Sequence, residues 1–265
     1  MKKYRFLIIG AHPDDPDVSC GGLAVQVVRN GHDAAFLSVT DGGAGHQSMS
    51  REAIAARRQL EMAHSAQIFG IPYYCLGLPD GLLEASLENR MKLLRFIRTY
   101  QPDVIITHRV NDYHPDHRAT GQLVMDCSYM AGVPLVCPDV PPLRYEPVIL
   151  SMEDSFTRPL PFQADIVVPI SEDVTEIKIA GSLAHISQYL EWLPWIDHRE
   201  DIENAGSLEE KKAMHRQRML RRFTAHTAQY ADRVPAGTRY VEAYQIDEYG
   251  GEMTDEIRDV MLGKK

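Results

Sequence analysis

Apolar positions in the first part of the chain fall in short continuous runs. Residues 5–10 (RFLIIG), 33–40 (DAAFLSVT), 73–76 and 103–107 (DVIIT) are four of them. Short runs of this kind are what parallel strands buried on both faces present. Helical spacing fills the intervals: about Ser19 to Asn30 closed by Gly31, Arg51 to Phe69 stopped by Gly70, 86–100 broken by Pro102, and about 117–131. Glycine just past a helix and proline beyond it are the expected stop signals. The alternation predicts an α/β fold, a Rossmann-like and mostly parallel sheet with helices on both faces and right-handed crossovers.

Prolines interrupt this pattern across residues 132–147. Beyond them the spacing predicts strands near 147–151 and 164–169, helices over 172–191 and 208–230, and an alternating strand over 238–246. No repeat, low-complexity tract or linker breaks the chain. Residues 1–265 therefore read as one domain whose C-terminal part, from about 132, is elaborated.

Composition narrows the partners. The 265 residues are 44% hydrophobic, enough for a large core, and carry a net charge of -9. An acidic surface repels phosphate backbones and anionic lipid, so nucleic acid and membrane insertion are not expected. Cys20, Cys75, Cys127 and Cys137 are scattered without a C-x-x-C pair, which points to a reducing compartment rather than a disulfide framework. The first residues lead into an apolar run of four, Phe6 to Ile9, too short for a signal peptide or a span. A cytoplasmic protein is expected, and a homo-oligomer is compatible with the sequence.

Two clusters carry the candidate chemistry: His12-Pro13-Asp14-Asp15 after the first strand and His114-Pro115-Asp116-His117 after the fourth. In a doubly wound sheet of order 3-2-1-4-5 those strands are neighbours, and their C-terminal ends flank the switch point where ligands bind. Such tripeptides also serve as turns and helix caps. Two of them at facing strand ends favour chemistry instead. His12, Asp15 and His117 would make an open metal site of two imidazoles and a carboxylate. Asp14 stands beside a ligand and is free to take a proton from an attacking water. His114, as an imidazolium, would face a developing oxyanion, and Asp116 would hold a histidine in its required tautomer. A dinucleotide is not expected: Asp14, Asp15 and Asp17 occupy the loop where a pyrophosphate would sit, and Gly42, Gly43 and Gly45 follow the wrong strand.

These motifs resemble those of the LmbE/PIG-L family of metal-dependent N-deacetylases. Ala11 to Asp15 matches its A-H-P-D-D motif and His114 to His117 its H-P-D-H motif. Weaker matches are Cys20-Gly21-Gly22, Thr40-Asp41-Gly42, Arg58-x-x-Glu61, Leu78 to Gly81, His185-x-Ser187-Gln188 and Val241 to Tyr244. The resemblance implies zinc on His12, Asp15 and His117, Asp14 as base, His114 at the oxyanion, and Asp116 as partner of His114 or of another site histidine. It implies sugar contacts for Arg58 and Asp80, which otherwise read as a helix-face cation and a turn residue. Pro16 and Gly43 depart from the family pattern at positions where acidic residues are common.

The expected activity is hydrolysis of an N-acetyl or other N-acyl amide on an amino sugar or its conjugate. Iron(II), manganese or cobalt would suit the same donors. Two readings from other classes share them: a facial-triad non-haem iron oxygenase, and a non-catalytic sugar-binding protein. Asp14 as a ready base argues against both. His185 reads as a satisfied buried histidine, and His46 and His108 as residues of the crevice rim. Tyr189, Trp192 and Trp195 would line an acceptor groove or a subunit contact, with the contact favoured.

Overall fold

The computed structural model describes residues 2–264. Its centre is a seven-stranded sheet in the order β3-β2-β1-β4-β5-β7-β6. The strands are β1 Arg5–Gly10, β2 Asp33–Thr40, β3 Tyr73–Leu78, β4 Val104–Thr107, β5 Val148–Met152, β6 Ile166–Ile170 and β7 Tyr240–Asp247. The first five pair in parallel, in the expected order. β7 runs antiparallel to both β5 and β6, so the later strands extend the same sheet.

The helices are α1 Asp15–Arg29, α2 Arg51–Phe69, α3 Leu87–Tyr100, α4 Pro115–Ser128, α5 Glu172–Ser182, α6 Leu193–Ile196, α7 Glu200–Glu203, α8 Leu208–Thr227 and α9 Asp255–Met261. They cover both faces. Phe6 and Ile8 of β1 join one apolar cluster with Leu23, Val27 and Val174, while Leu7 and Ile9 join another with Leu94, Ile97 and Leu123. That double burial explains the unbroken apolar runs. Among the described residues no helix is long and apolar enough to cross a membrane.

Three elements differ from expectation for identifiable reasons. α1 starts at Asp15 rather than Ser19, because Pro16 at its first turn has φ already set for a helix and Asp15 and Asp17 favour its positive end. The helix expected over 172–191 divides after Ser182. His185 and Gln188 there donate to carbonyls only three residues back, and a π-helical turn then covers Ser187–Trp192. α9 lies outside any sequence expectation. The proline-rich segment is organised by Arg98, 1% exposed, whose guanidinium donates to the carbonyls of Met130, Ala131, Val133, Cys137 and Val140.

Candidate metal centre

The ends of β1 and β4 are adjacent, and the two histidine clusters meet there. Gly10 makes the first turn feasible: a Cβ on it would lie 2.6 Å from Asp15 Cβ and 2.7 Å from Pro16 Cδ. The chain folds back at once, with the Asp15 N–H directed to the His12 carbonyl at 3.3 Å and the His12 N–H donating to Asp15 Oδ2 at 2.8 Å. On the facing side Pro115 opens α4. His114 caps that helix, its Nδ1 accepting the Asp116 N–H at 3.2 Å.

The imidazoles converge. His12 Nδ1 lies 3.3 Å, and His117 Nε2 3.6 Å, from Asp15 Oδ2. The other nitrogen of each ring faces a carboxylate. His12 Nε2 is 3.2 Å from Asp80 Oδ1 and 3.5 Å from Asp116 Oδ2, and His117 Nδ1 is 3.1 Å from Asp112 Oδ1. Metal-binding histidines characteristically carry such an outer carboxylate, which fixes ring and tautomer. The donor set therefore fits a divalent cation. Asp116, fully buried, is anchored by the N–H groups of Gly81 (2.7 Å) and Leu83 (3.3 Å).

Overlapping sets of ligand atoms lie within 4.8 Å of one another: His12, His114 and His117; Asp15, His108 and His117; His12, Asp80 and Asp116. His108, read from the sequence only as a rim residue, is buried and stacks on His117 with centroids 4.0 Å apart. Its Nε2 already accepts the Ala11 N–H at 3.0 Å, which leaves it less free as a donor to a cation. Its position directly after β4 was the available sequence signal. Asp112 lay inside the second loop without standing out.

Neighbouring carboxyls are driven apart. Burial pushes the Asp14 carboxyl up, against the pull of Arg58. Burial would also raise Asp15, but His117 and His108 override it and hold Asp15 well below the usual range. Burial would raise Asp80 as well, yet its hydrogen bond to His12 brings it down to about 2. Adjacent groups split in this way are suited to separate acid–base and ligand roles. Burial and then the nearby His12 lower the His114 pKa. With Nδ1 accepting the Asp116 N–H at 3.2 Å, His114 has Nε2 as the ring nitrogen left to donate.

Asp14 itself is held in an unusual backbone conformation, φ 144° and ψ −25°. Such a conformation costs on the order of 1–3 kcal/mol and persists only where surrounding contacts impose it. Arg58 from α2, 2% exposed, contacts both the Asp14 carboxylate and the Pro13 carbonyl and lies 3.6 Å from Glu61 Oε2. Asp80, 5% exposed, spends one oxygen on His12 and the other on the Ala44 N–H at 2.8 Å. Both residues expected to meet a sugar thus have protein partners.

His185 is fully buried against Asp17. His46 pairs with Glu191 at 3.0 Å, which also accepts both terminal nitrogens of Arg57. Trp192 and Trp195 stack on each other at 5.4 Å, while Tyr189 is buried beside His215. The four cysteines are free. A surface cleft of about 360 Å³ lies elsewhere, between Gln26, Ser171, Glu172 and Arg239, and none of these histidines lines it.

Residues 7–128, which hold every residue of this centre, match the family model described as PIG-L: GlcNAc-PI de-N-acetylase. The chain is 28% identical over 203 residues to a diacetylchitobiose deacetylase of Thermococcus kodakarensis, covering 72% of this chain and 73% of the relative. Among solved structures it resembles N,N'-diacetylchitobiose deacetylase from Pyrococcus horikoshii, with a TM-score of 0.71, 23% identity and coverage of 92% and 84%. A 4-carboxy-2-hydroxymuconate hydratase from Pseudomonas putida reaches the same TM-score at 17% identity, covering 95% and 98%. Since that fold also carries a hydratase, these two likenesses establish architecture alone.

Proposed function

We propose that this chain, whose residues 7–128 match the PIG-L family model, is a member of that family and a zinc-dependent hydrolase that removes the N-acetyl group of an amino sugar or amino-sugar conjugate. The observation that carries the reading is the division of labour around Asp15. The inner nitrogens of His12 and His117 converge on that carboxylate, their outer nitrogens face other carboxylates, and Asp14 stands next in sequence outside the convergence. The deacetylase name of the Thermococcus relative supports the substrate class.

In this reading His12, Asp15 and His117 hold the cation, which supplies Lewis acidity to the water and the amide carbonyl when bound. Two imidazoles and one carboxylate suit zinc with an open position, and iron(II), manganese or cobalt fit the same donors. Asp14, raised by burial, takes the proton of the attacking water and returns it to the departing amine. Arg58 orients that carboxylate from behind. His114 donates from Nε2 to the oxyanion as the carbonyl carbon becomes tetrahedral. Asp116 and Asp80 hold His12, and Asp112 holds His117. The chain acts as one domain, with β5–β7 completing the sheet that presents the site.

The test is acetate release from N-acetylglucosamine, diacetylchitobiose and their conjugates, before and after chelation and with metal restored. Release that stops on chelation and returns with metal supports the reading. Release that continues without metal overturns it. Turnover only with an oxidisable cosubstrate would instead favour an oxygenase.

A further inference from the structure

Behind the metal centre lies a buried polar cluster that the mechanism above does not use. Asp17, Ser65 and His185 are fully buried. The Ser65 hydroxyl donates to Asp17 Oδ1, and His185 Nε2 lies 3.0 Å from the same oxygen. Tyr73, at the start of β3, packs edge-on against His185 and Phe36, with centroids 6.3 and 5.3 Å away. Its hydroxyl oxygen accepts the Asp14 N–H at 2.9 Å. Burial and the neighbouring Asp17 carboxylate keep that phenol protonated.

The Asp14 N–H is one of the donors left over where α1 begins, since helix N-termini leave their first amides without an internal partner. Here it turns to Tyr73, 59 positions away in sequence. Asp14 is the residue at φ 144°, a conformation that side chains other than glycine rarely adopt. A residue there relaxes to negative φ unless its peptide is tied, and relaxing would swing its carboxylate. Arg58 grips the side chain, but among the described residues only Tyr73 accepts the Asp14 N–H.

We propose that Tyr73 is a positioning residue: its hydroxyl, backed by the Asp17–Ser65–His185 cluster, ties the Asp14 peptide at positive φ and so aims the Asp14 carboxylate at the attacking water. The proposal rests on Asp14 being the base of an amide hydrolase. It gives the cluster a purpose beyond packing, and it links β3 and the 183–186 turn to the chemistry at the end of β1.

The test is Tyr73→Phe, which removes one oxygen and keeps the ring packing, with Asp17→Asn as a second variant that weakens the hold on Tyr73 without touching Asp14. The expected result is a fall in kcat of about tenfold to a hundredfold, the scale of a misplacement of about 1 Å, with KM and bound metal unchanged. The Asp14 amide should exchange with solvent faster in nitrogen-15 spectra, and a crystal structure of the variant should show Asp14 at negative φ. Asp17→Asn should shift the same readouts by a smaller factor. Unchanged kcat, or a fall matched by loss of metal, overturns the proposal. If the wild type cuts no amide, the functional reading fails, and the amide still decides the rest. Faster exchange in Tyr73→Phe supports the tie to Asp14, and unchanged exchange overturns it.

Discussion

Two buried charged clusters in this protein look alike in composition and differ in how they close. Around Glu242 every oxygen is matched: Oε1 accepts the Gly22 N–H at 2.8 Å and Lys178 Nζ at 2.6 Å, and Oε2 accepts the Leu23 N–H at 2.7 Å and the Tyr244 hydroxyl at 2.8 Å. A Cβ on Gly22 would come within 2.7 Å of that carboxylate, so glycine is what lets it reach the backbone of α1. Around Asp15, by contrast, several imidazole nitrogens crowd one oxygen, and the rings are pinned from outside. A network satisfied internally specifies and stabilises the fold. One whose donor atoms converge without closing is built to receive something.

The largest effect is expected of His117→Ala. It should remove the bound metal and lower acetate release by roughly a thousandfold or more, the scale seen when one member of a catalytic unit is lost. Thermal unfolding of the metal-free protein should move little. Metal titration and melting curves on the same samples check both halves. Lys178→Met should do the reverse. Stranding the buried Glu242 charge costs about 3–5 kcal/mol, which for a chain of this size lowers Tm by roughly 6–20 °C, while metal content of the folded protein stays intact.

Asp112→Asn sharpens the account of the outer carboxylates. It leaves the inner donors in place but weakens the hold on His117 Nδ1, so metal affinity should drop about tenfold to a hundredfold in a competition titration. An effect on stability alone concerns His215 of α8. Burial, helped by Arg218, depresses its pKa to about 4. The folded state therefore favours the neutral ring. Its contribution is complete above the unfolded value of 6.5 and is lost as the pH falls toward about 4. A shift of that size is worth up to about 3 kcal/mol. His215→Gln should flatten the decline in stability across that window, measured by denaturant unfolding at several pH values.

Much of this was legible in the sequence because it depends on local pattern. Buried parallel strands are short apolar runs, so β1 to β4 and their order could be read directly, and the order placed His12 and His117 together. What stayed hidden depends on partners far along the chain. Tyr73 looks like any strand aromatic until Asp14 is found against it, and Glu242 is unremarkable until it meets Gly22. Arg98 organises the proline-rich segment through carbonyls, which leave no compositional trace. Arg58 and Asp80 belong here too: their motifs implied sugar contacts, and what stayed hidden is that Arg58 meets the Asp14 carboxylate and Asp80 meets His12.

The central claim is that Asp14 acts as a base and not as a ligand, and Asp14→Asn tests it most directly when bound metal and acetate release are measured on the same preparation. The expected result is metal at the wild-type level with hydrolysis nearly abolished. Loss of metal together with activity, or hydrolysis close to wild type, would contradict it.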